Sequence, residues 1–440
     1  MILGPISLID CAVFVFFLIP QVLYQAGLGL TLVTLIKVLP FLILQLPYQF
    51  MQERYLTGRD EQSPFVQRAT VFQDIVIRCV RYAFAHMPVK IGRVFFSKQV
   101  AYPFFRFRLL RHGHRSEPVS VEEVHQNGIR GLWITGNESA EKPDVVVYYC
   151  HGGGFSMGSA YFYLEFLIAW MTRLRERGFK NPAVFALEYT LVPDAVWPQQ
   201  FVETYAGYKL LIDYMGDASR ICVSGDSAGA TLILSRLLHH GSYDEEPFVY
   251  EARKPALAVL ISPWTHLISP LNRNTASDYL DANALELYGA QYLGAESARN
   301  ALISPGLTEG RWKLASPTKG YCIVYGAEEV FAPAIGETMR HMKNDGARVE
   351  TRCEPGGIHA WPVVNLFLGS SREDRLKGLD QLTEMVVERM GVGGGVQEQV
   401  SEPPKQKKNM TRKDDGGKEA YLSPKTTWPE KWKNSESYAG

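Results

Sequence analysis

An α/β fold, with a mostly parallel central sheet and helices on both of its faces, is predicted by three observations in chain order. The β-rich run "DVVVYYC" ends in His151-Gly152-Gly153-Gly154. The strand signal around Ile221 and Val223 passes straight into Gly225-Asp226-Ser227-Ala228-Gly229. A further strand over Tyr321 to Tyr325 and a strand-like "ARVETRC" lead to a Gly-rich loop carrying His359. Apolar strand runs that alternate with helical periodicity are the mark of a sheet covered by helices.

Each element has a local reason. After Ser227, the residues Ala230, Leu232, Ile233, Leu234, Leu237 and Leu238 give a helix an apolar face. Between strand and helix lies G-x-S-x-G, the pattern of a sharp turn that lifts a serine hydroxyl above a sheet edge. Gly225 and Gly229 are expected there because a Cβ would collide where strand and helix converge. The helix that follows aims its N–H groups and positive dipole end at Ser227.

A serine nucleophile needs donors for an oxyanion, a base and an acid. The glycines after His151 leave backbone N–H groups uncovered, the form that an oxyanion hole takes beside such a serine. The acid and base are expected after the serine, acid first. Past the elbow helix stand His266, His341 and His359. His341 falls in the helical "ETMRHMKN" and His266 precedes any plausible acid, so both read as structural; His359 is the expected base. For the acid, Glu328 and Glu329 both follow the Tyr321–Tyr325 strand. Either carboxylate could hold the tautomer of His359 and stabilise its imidazolium; Glu329, in Glu-Val-Phe, is preferred.

The set HGGG, GDSAG and late histidine, in that order, resembles the hormone-sensitive-lipase group of α/β-hydrolases, and within it the membrane-anchored arylacetamide deacetylase and steryl acetyl hydrolase type. "LEYTLVPDAVWPQQFVETYAGYKLLID" resembles the group's Tyr-x-Leu-x-Pro-[Glu/Asp] segment, and "ISPWTHL" the strand after the elbow helix. The likeness runs over roughly residues 130 to 390. It implies Ser227 as nucleophile, His359 and Glu329 as its partners, the N–H groups of Gly153, Gly154 and Ala228 as oxyanion hole, and His151 as brace of the Gly152–Gly154 loop. Two positions depart from the pattern. The acid is glutamate rather than aspartate, and Thr190 stands after Tyr189 where arginine is common. The implied activity is a serine carboxylesterase acting on short-acyl, above all acetyl, esters of lipophilic alcohols, with no cofactor and no metal. An arylamide deacetylase and a non-catalytic small-molecule receptor are the alternatives.

Composition sets limits on this reading. The 440 residues hold 46 basic and 46 acidic side chains, for a formal net charge of zero, which speaks against nucleic-acid binding. The six cysteines, at 11, 79, 150, 222, 322 and 353, show no C-x-x-C pair, so neither a disulfide framework nor a metal site is indicated. No charge stands between Asp10 and Lys37, a run long enough to cross a bilayer. A single spanning helix is expected there, with "VLPFLILQLPYQF" after it as a re-entrant or interfacial segment because of Pro40 and Pro47. Basic residues past the span favour a cytoplasmic catalytic side. The resemblance implies the endoplasmic reticulum with a lumenal one, and Asn137-Glu138-Ser139 is an acceptor sequon; the side stays open. The organisation expected is a membrane anchor over 1–50, cap or linker helices over 51–129, and a catalytic domain over 130–391. That domain carries a cap insertion over 264–316, and from Val392 to 440 a Gly-, Lys- and Glu-rich tail cannot bury enough surface to fold.

Overall fold

Four strands whose every residue is buried form the middle of the molecule: β3 (Val145–Cys150), β4 (Pro182–Leu187), β5 (Ile221–Asp226) and β6 (Leu257–Ile261). Strands buried on both faces read as continuous apolar runs, which is why these segments lack polar alternation. The computed structural model describes residues 1–114, 119–136, 142–240 and 253–392. Its eight-stranded sheet has the order β1-β2-β4-β3-β5-β6-β7-β8. Here β1 is Val119–Gln126, β2 Ile129–Gly136, β7 Tyr321–Gly326 and β8 Val349–Glu354. From β4 through β8 all neighbours are parallel; β2 pairs antiparallel with both β1 and β4.

Successive residues of a strand face opposite ways, so the sheet feeds two cores. Val146, Tyr148, Val223, Leu260 and Ile323 point into one, while Val147, Tyr149, Cys222, Val259 and Val324 point into the other. The first is closed by α7 (Gln199–Met215), α8 (Ala228–His240), α9 (Ala282–Leu293) and α10 (Ala332–Asn344). The second is closed by α6 (Leu164–Glu176), α11 (Trp361–Leu368) and α12 (Arg372–Met390). All six cysteines are free, and Cys150, Cys222 and Cys322 lie buried in strands, as their surroundings suggest.

Two expectations need correction. The sheet begins at Val119, ahead of residue 130: β1 and β2 form a hairpin whose two-residue turn, Asn127-Gly128, has φ values of 52° and 77°. This is the Asn-Gly turn whose twist matches antiparallel strands. The apolar N-terminal run is two helices and not one: α1 (Leu8–Ala26) ends at Gly27, whose φ of 86° and ψ of 154° no helix allows, and α2 covers Leu28–Leu56. Pro40 and Pro47 sit inside α2, which runs on through both, beside a π-helical turn at Phe41–Gln45. Both helices are long and apolar enough to cross a membrane. Behind them come α3 (Val71–His86), α4 (Val89–Phe96) and α5 (Lys98–Arg111). The sequon at Asn137 and all of the tail beyond Val392 lie outside the described residues.

Candidate active site

The carboxyl ends of β3, β5, β7 and β8 carry the residues singled out above. Ser227 follows β5 directly, with φ of +52°, and Ala228 opens α8. A left-handed φ on a residue with a Cβ costs about 1–2 kcal/mol. It is held by backbone bonds on both sides: Ser227 N–H donates to the Ile261 carbonyl at 3.0 Å, and the Ser227 carbonyl accepts from Thr231 at 3.2 Å and Trp264 at 3.3 Å.

The crossing of β3 with the elbow is as tight as the glycines suggested. A Cβ on Gly225 would stand 2.6 Å from the Cys150 carbonyl oxygen, and one on Gly229 would overlap that same carbonyl. Neither neighbour is a flexible side chain, so nothing can swing aside. Gly229→Ala is therefore expected to destabilise the fold by about 3 kcal/mol or more, read as a fall in thermal midpoint; an unchanged midpoint would contradict this packing.

Asp226 binds the elbow to the glycine loop. Its carboxylate accepts from Tyr149 Oη at 2.8 Å, Tyr163 Oη at 2.7 Å and Gly152 N–H at 2.8 Å. Burial pushes this carboxyl up to about 6, and the three donors pull against that rise. His151 sets the loop from the other side. Its Nδ1 donates to the Gly152 carbonyl at 2.8 Å, and its ring stacks on Tyr189 at 4.4 Å, whose hydroxyl returns a bond to the His151 carbonyl at 2.8 Å. Burial lowers His151 to about 4, so the ring is a neutral spacer. Gly153 and Gly154 follow with φ of +116° and +60°. No described hydrogen bond uses their N–H groups, and Ala228, at the first turn of α8, has no intrahelical acceptor for its own.

The departure at Thr190 has a structural answer. Its N–H and Oγ1 both donate to Glu203 of α7, each at 2.7 Å, while Arg93 of α4 reaches the Leu191 carbonyl at 3.1 Å and Asp194 at 2.8 Å. A carboxylate below and an arginine from outside hold the segment that arginine at the Thr190 position would otherwise support.

His359 leaves β8 in a short loop and is buried, with Phe331 edge-on at 5.1 Å and Tyr279 at 5.8 Å. Phe331 in turn stacks on Trp264, whose N–H bonds the Ser227 carbonyl, so elbow and histidine share one aromatic wall. Of the two glutamates the structure brings Glu329 to the histidine: its Oε2 lies 3.8 Å from His359 Nδ1. Glu329 is buried, whereas Glu328 is partly exposed and contributes backbone bonds to Gly357 and Thr275. Burial lowers His359 to about 3 and raises Glu329 well above the usual carboxyl range, Ser262 opposing that rise and the nearby Asp278 adding to it. The imidazole is thus uncharged at rest, and burial makes the charged form of its carboxyl partner costly.

Two functional candidates escaped the sequence. Ser262, at φ +45°, donates its Oγ–H to Glu329 Oε2 at 2.6 Å and accepts from Ala360 N–H at 3.0 Å, joining the acid to the histidine loop. Asp278 accepts from the N–H groups of His359 at 3.0 Å, Tyr279 at 2.8 Å and Val330 at 2.8 Å. Ser262 lay in the quoted "ISPWTHL" segment; Asp278 sits in the 264–316 segment, where no periodicity marks it. His266 and His341 stay apart from the pair: the first meets Thr265 at 3.0 Å, the second the Gly306 carbonyl at 3.1 Å.

Residues 147–363 match the family described as alpha/beta hydrolase fold. A neutral cholesterol ester hydrolase 1 from Pongo abelii is 33% identical over 126 residues, 27% of this chain and 29% of that protein. Human hormone-sensitive lipase is 28% identical over 140 residues, 30% of this chain and 12% of that protein. Esterase LipI of Mycobacterium tuberculosis is 28% identical over 207 residues, 45% of this chain and 60% of that protein. The chain thus spans only part of the length of these relatives. Among solved structures, an esterase from the bacterial hormone-sensitive lipase family aligns with a TM-score of 0.56 at 20% identity, over 73% of this chain and 100% of that one. At that identity the likeness speaks for the fold alone.

Proposed function

Residues 147–363 being an α/β-hydrolase domain similar to those of hormone-sensitive lipase and neutral cholesterol ester hydrolase, we propose that the chain is a serine carboxylester hydrolase. The observation that carries this reading is Ser227 on a strained elbow locked through Asp226 to the Gly152–Gly154 loop. Ser227 Oγ attacks the ester carbonyl carbon while His359 takes its proton. The oxyanion forms against the N–H groups of Gly153, Gly154 and Ala228, and losing one such donor raises the barrier by about 2.7–4 kcal/mol. The imidazolium then protonates the departing alcohol, with Glu329 stabilising the positive ring. Water, activated by the same imidazole, releases the acid and restores Ser227.

Short-acyl esters of lipophilic alcohols are the proposed substrates. Support comes from two apolar helices that would keep the enzyme where such molecules dissolve, with the endoplasmic reticulum membrane as the proposed setting. The segment 264–316, with Tyr279 beside His359 and Tyr288 facing Gly154, is the proposed cap. Hydrolysis of p-nitrophenyl esters with acyl chains of two to twelve carbons, by detergent-purified protein, tests the reading. Turnover should be highest at the short end. Turnover confined to an aryl acetamide would replace it with the deacetylase reading, and none on any substrate by folded protein would favour a receptor.

A further inference from the structure

The two apolar helices are fastened to the body at both ends. Ahead of α1, Leu3 is buried and its carbonyl accepts from Arg375 of α12, Arg108 of α5 donates to the Gly4 carbonyl at 2.6 Å, and Ile6 N–H donates to the Phe367 carbonyl of α11 at 2.9 Å. In the first turn, Asp10 pairs with Arg108 and Arg111, and Arg108 also grips Glu165 of α6 at 2.7 Å. At the far end of α2, Glu53 accepts from Arg78 of α3 at 2.8 Å, and Arg54 donates to the Ala69 carbonyl at 2.8 Å.

They are also fastened along their lengths. Phe14, Phe17, Leu18, Val22 and Ala26 of α1 form one stripe at helical spacing that packs on Ile91, Val94 and Val100. On α2, Phe41 stacks on Tyr82 of α3 at 4.0 Å, and the Lys37 carbonyl accepts from Tyr82 Oη at 3.0 Å. The opposite side is apolar and bare: Phe16, Ile19, Ile36, Ile43, Leu44 and Tyr48 are 54–72% exposed.

A helix that crosses a hydrocarbon core of about 30 Å must meet apolar surroundings on its whole perimeter. Here one side is occupied by α4 and α5, whose Lys90, Arg93, Lys98 and Arg111 would be drawn into the core with it. Arg93 and Lys98 are moreover paired with Asp194 and Glu123 of the catalytic body. Charges at that depth are expensive, whereas helices laid flat need bury only their outer faces.

We propose that α1 and α2 bind a lipid bilayer from one side only, lying along a single leaflet, with both ends of the pair and the catalytic body in the same aqueous compartment. This builds on the membrane reading above but not on the ester chemistry. The test uses the full chain in sealed, oriented microsomes, with Cys11, Cys79 and Cys353 replaced by serine so that only the buried strand thiols remain. Leu8→Cys and Tyr55→Cys should react with a membrane-impermeant maleimide from the side on which protease reaches the catalytic body. Leu28→Cys, at the turn, should react from that side or be shielded from both. Leu8 and Tyr55 on opposite sides, or Leu28 reached only from the far side, would overturn the proposal. In a second arm, Phe16→Lys with Ile43→Lys should lower the fraction of protein bound to phosphatidylcholine vesicles about tenfold or more. Hydrolysis of a water-soluble ester should persist in that variant; undiminished binding would overturn the proposal whatever the esterase assay shows.

Discussion

Ser227→Ala is expected to lower ester hydrolysis by about 10⁴- to 10⁶-fold, the range found when the nucleophile of a serine triad is removed. The fold should not notice. Alanine has the same Cβ at the same left-handed φ of +52°, and the bonds from Ser227 N–H to Ile261 and from Thr231 to its carbonyl are backbone bonds that survive. An unaltered thermal midpoint beside lost turnover separates chemistry from folding. Ser227→Gly is the companion: it removes the steric cost of the elbow, worth about 1–2 kcal/mol, so it should be equally inactive yet at least as stable. Turnover in Ser227→Ala above a thousandth of the parent rate would mean another residue attacks the ester.

Glu329→Gln should cost about 10⁴-fold in kcat, while Glu328→Gln should stay within about threefold. An amide at 329 has the size of the acid but cannot take up the charge of an imidazolium 3.8 Å away, and it invites the wrong tautomer of His359. Stability gives a second readout with the opposite sign. A carboxyl whose pKa is raised on folding holds its proton more tightly folded than unfolded. The fold therefore loses stability as pH rises from the unfolded value, about 4.3, towards the raised native one. Glutamine escapes that loss. The Glu329→Gln protein should match its parent at pH 4 and exceed it in thermal midpoint at pH 7. Equal midpoints at both values would show that folding does not raise the Glu329 carboxyl, and full activity in the glutamine variant would remove it from the mechanism.

The parts legible in the sequence were those where backbone geometry leaves few residues to choose from. The elbow demands small residues on both sides of Ser227, and the approach of Cys150 to Gly229 explains why. The strand runs at Val145 and Ile221 were legible because burial on both faces leaves only apolar residues. Glu329 and Glu328 were inseparable by composition; what parts them is that one turns inward onto Ser262. Asp278 was silent because its partners are backbone N–H groups contributed by three separate residues, which leave no side-chain pattern to search for. The Asn127-Gly128 hairpin carries a local signal of its own, since Asn-Gly is the pair that a two-residue turn with left-handed φ favours. The break at Gly27 carries little local signal, since an apolar run reads alike whether it is one helix or two.

The contact of Gly225 and Gly229 with the Cys150 carbonyl, reinforced by the reach of Asp226 to Gly152, also bears on how this scaffold can change. Segments separated by more than seventy positions in the chain behave as a single inherited part. Recombination between homologues that falls between them, leaving one parent's 150–154 beside another's 225–229, should yield mostly misfolded offspring, whereas crossovers in the proposed cap segment 264–316 leave this part whole. Exchanging the proposed cap segment should therefore preserve the fold more often than reshaping either loop alone.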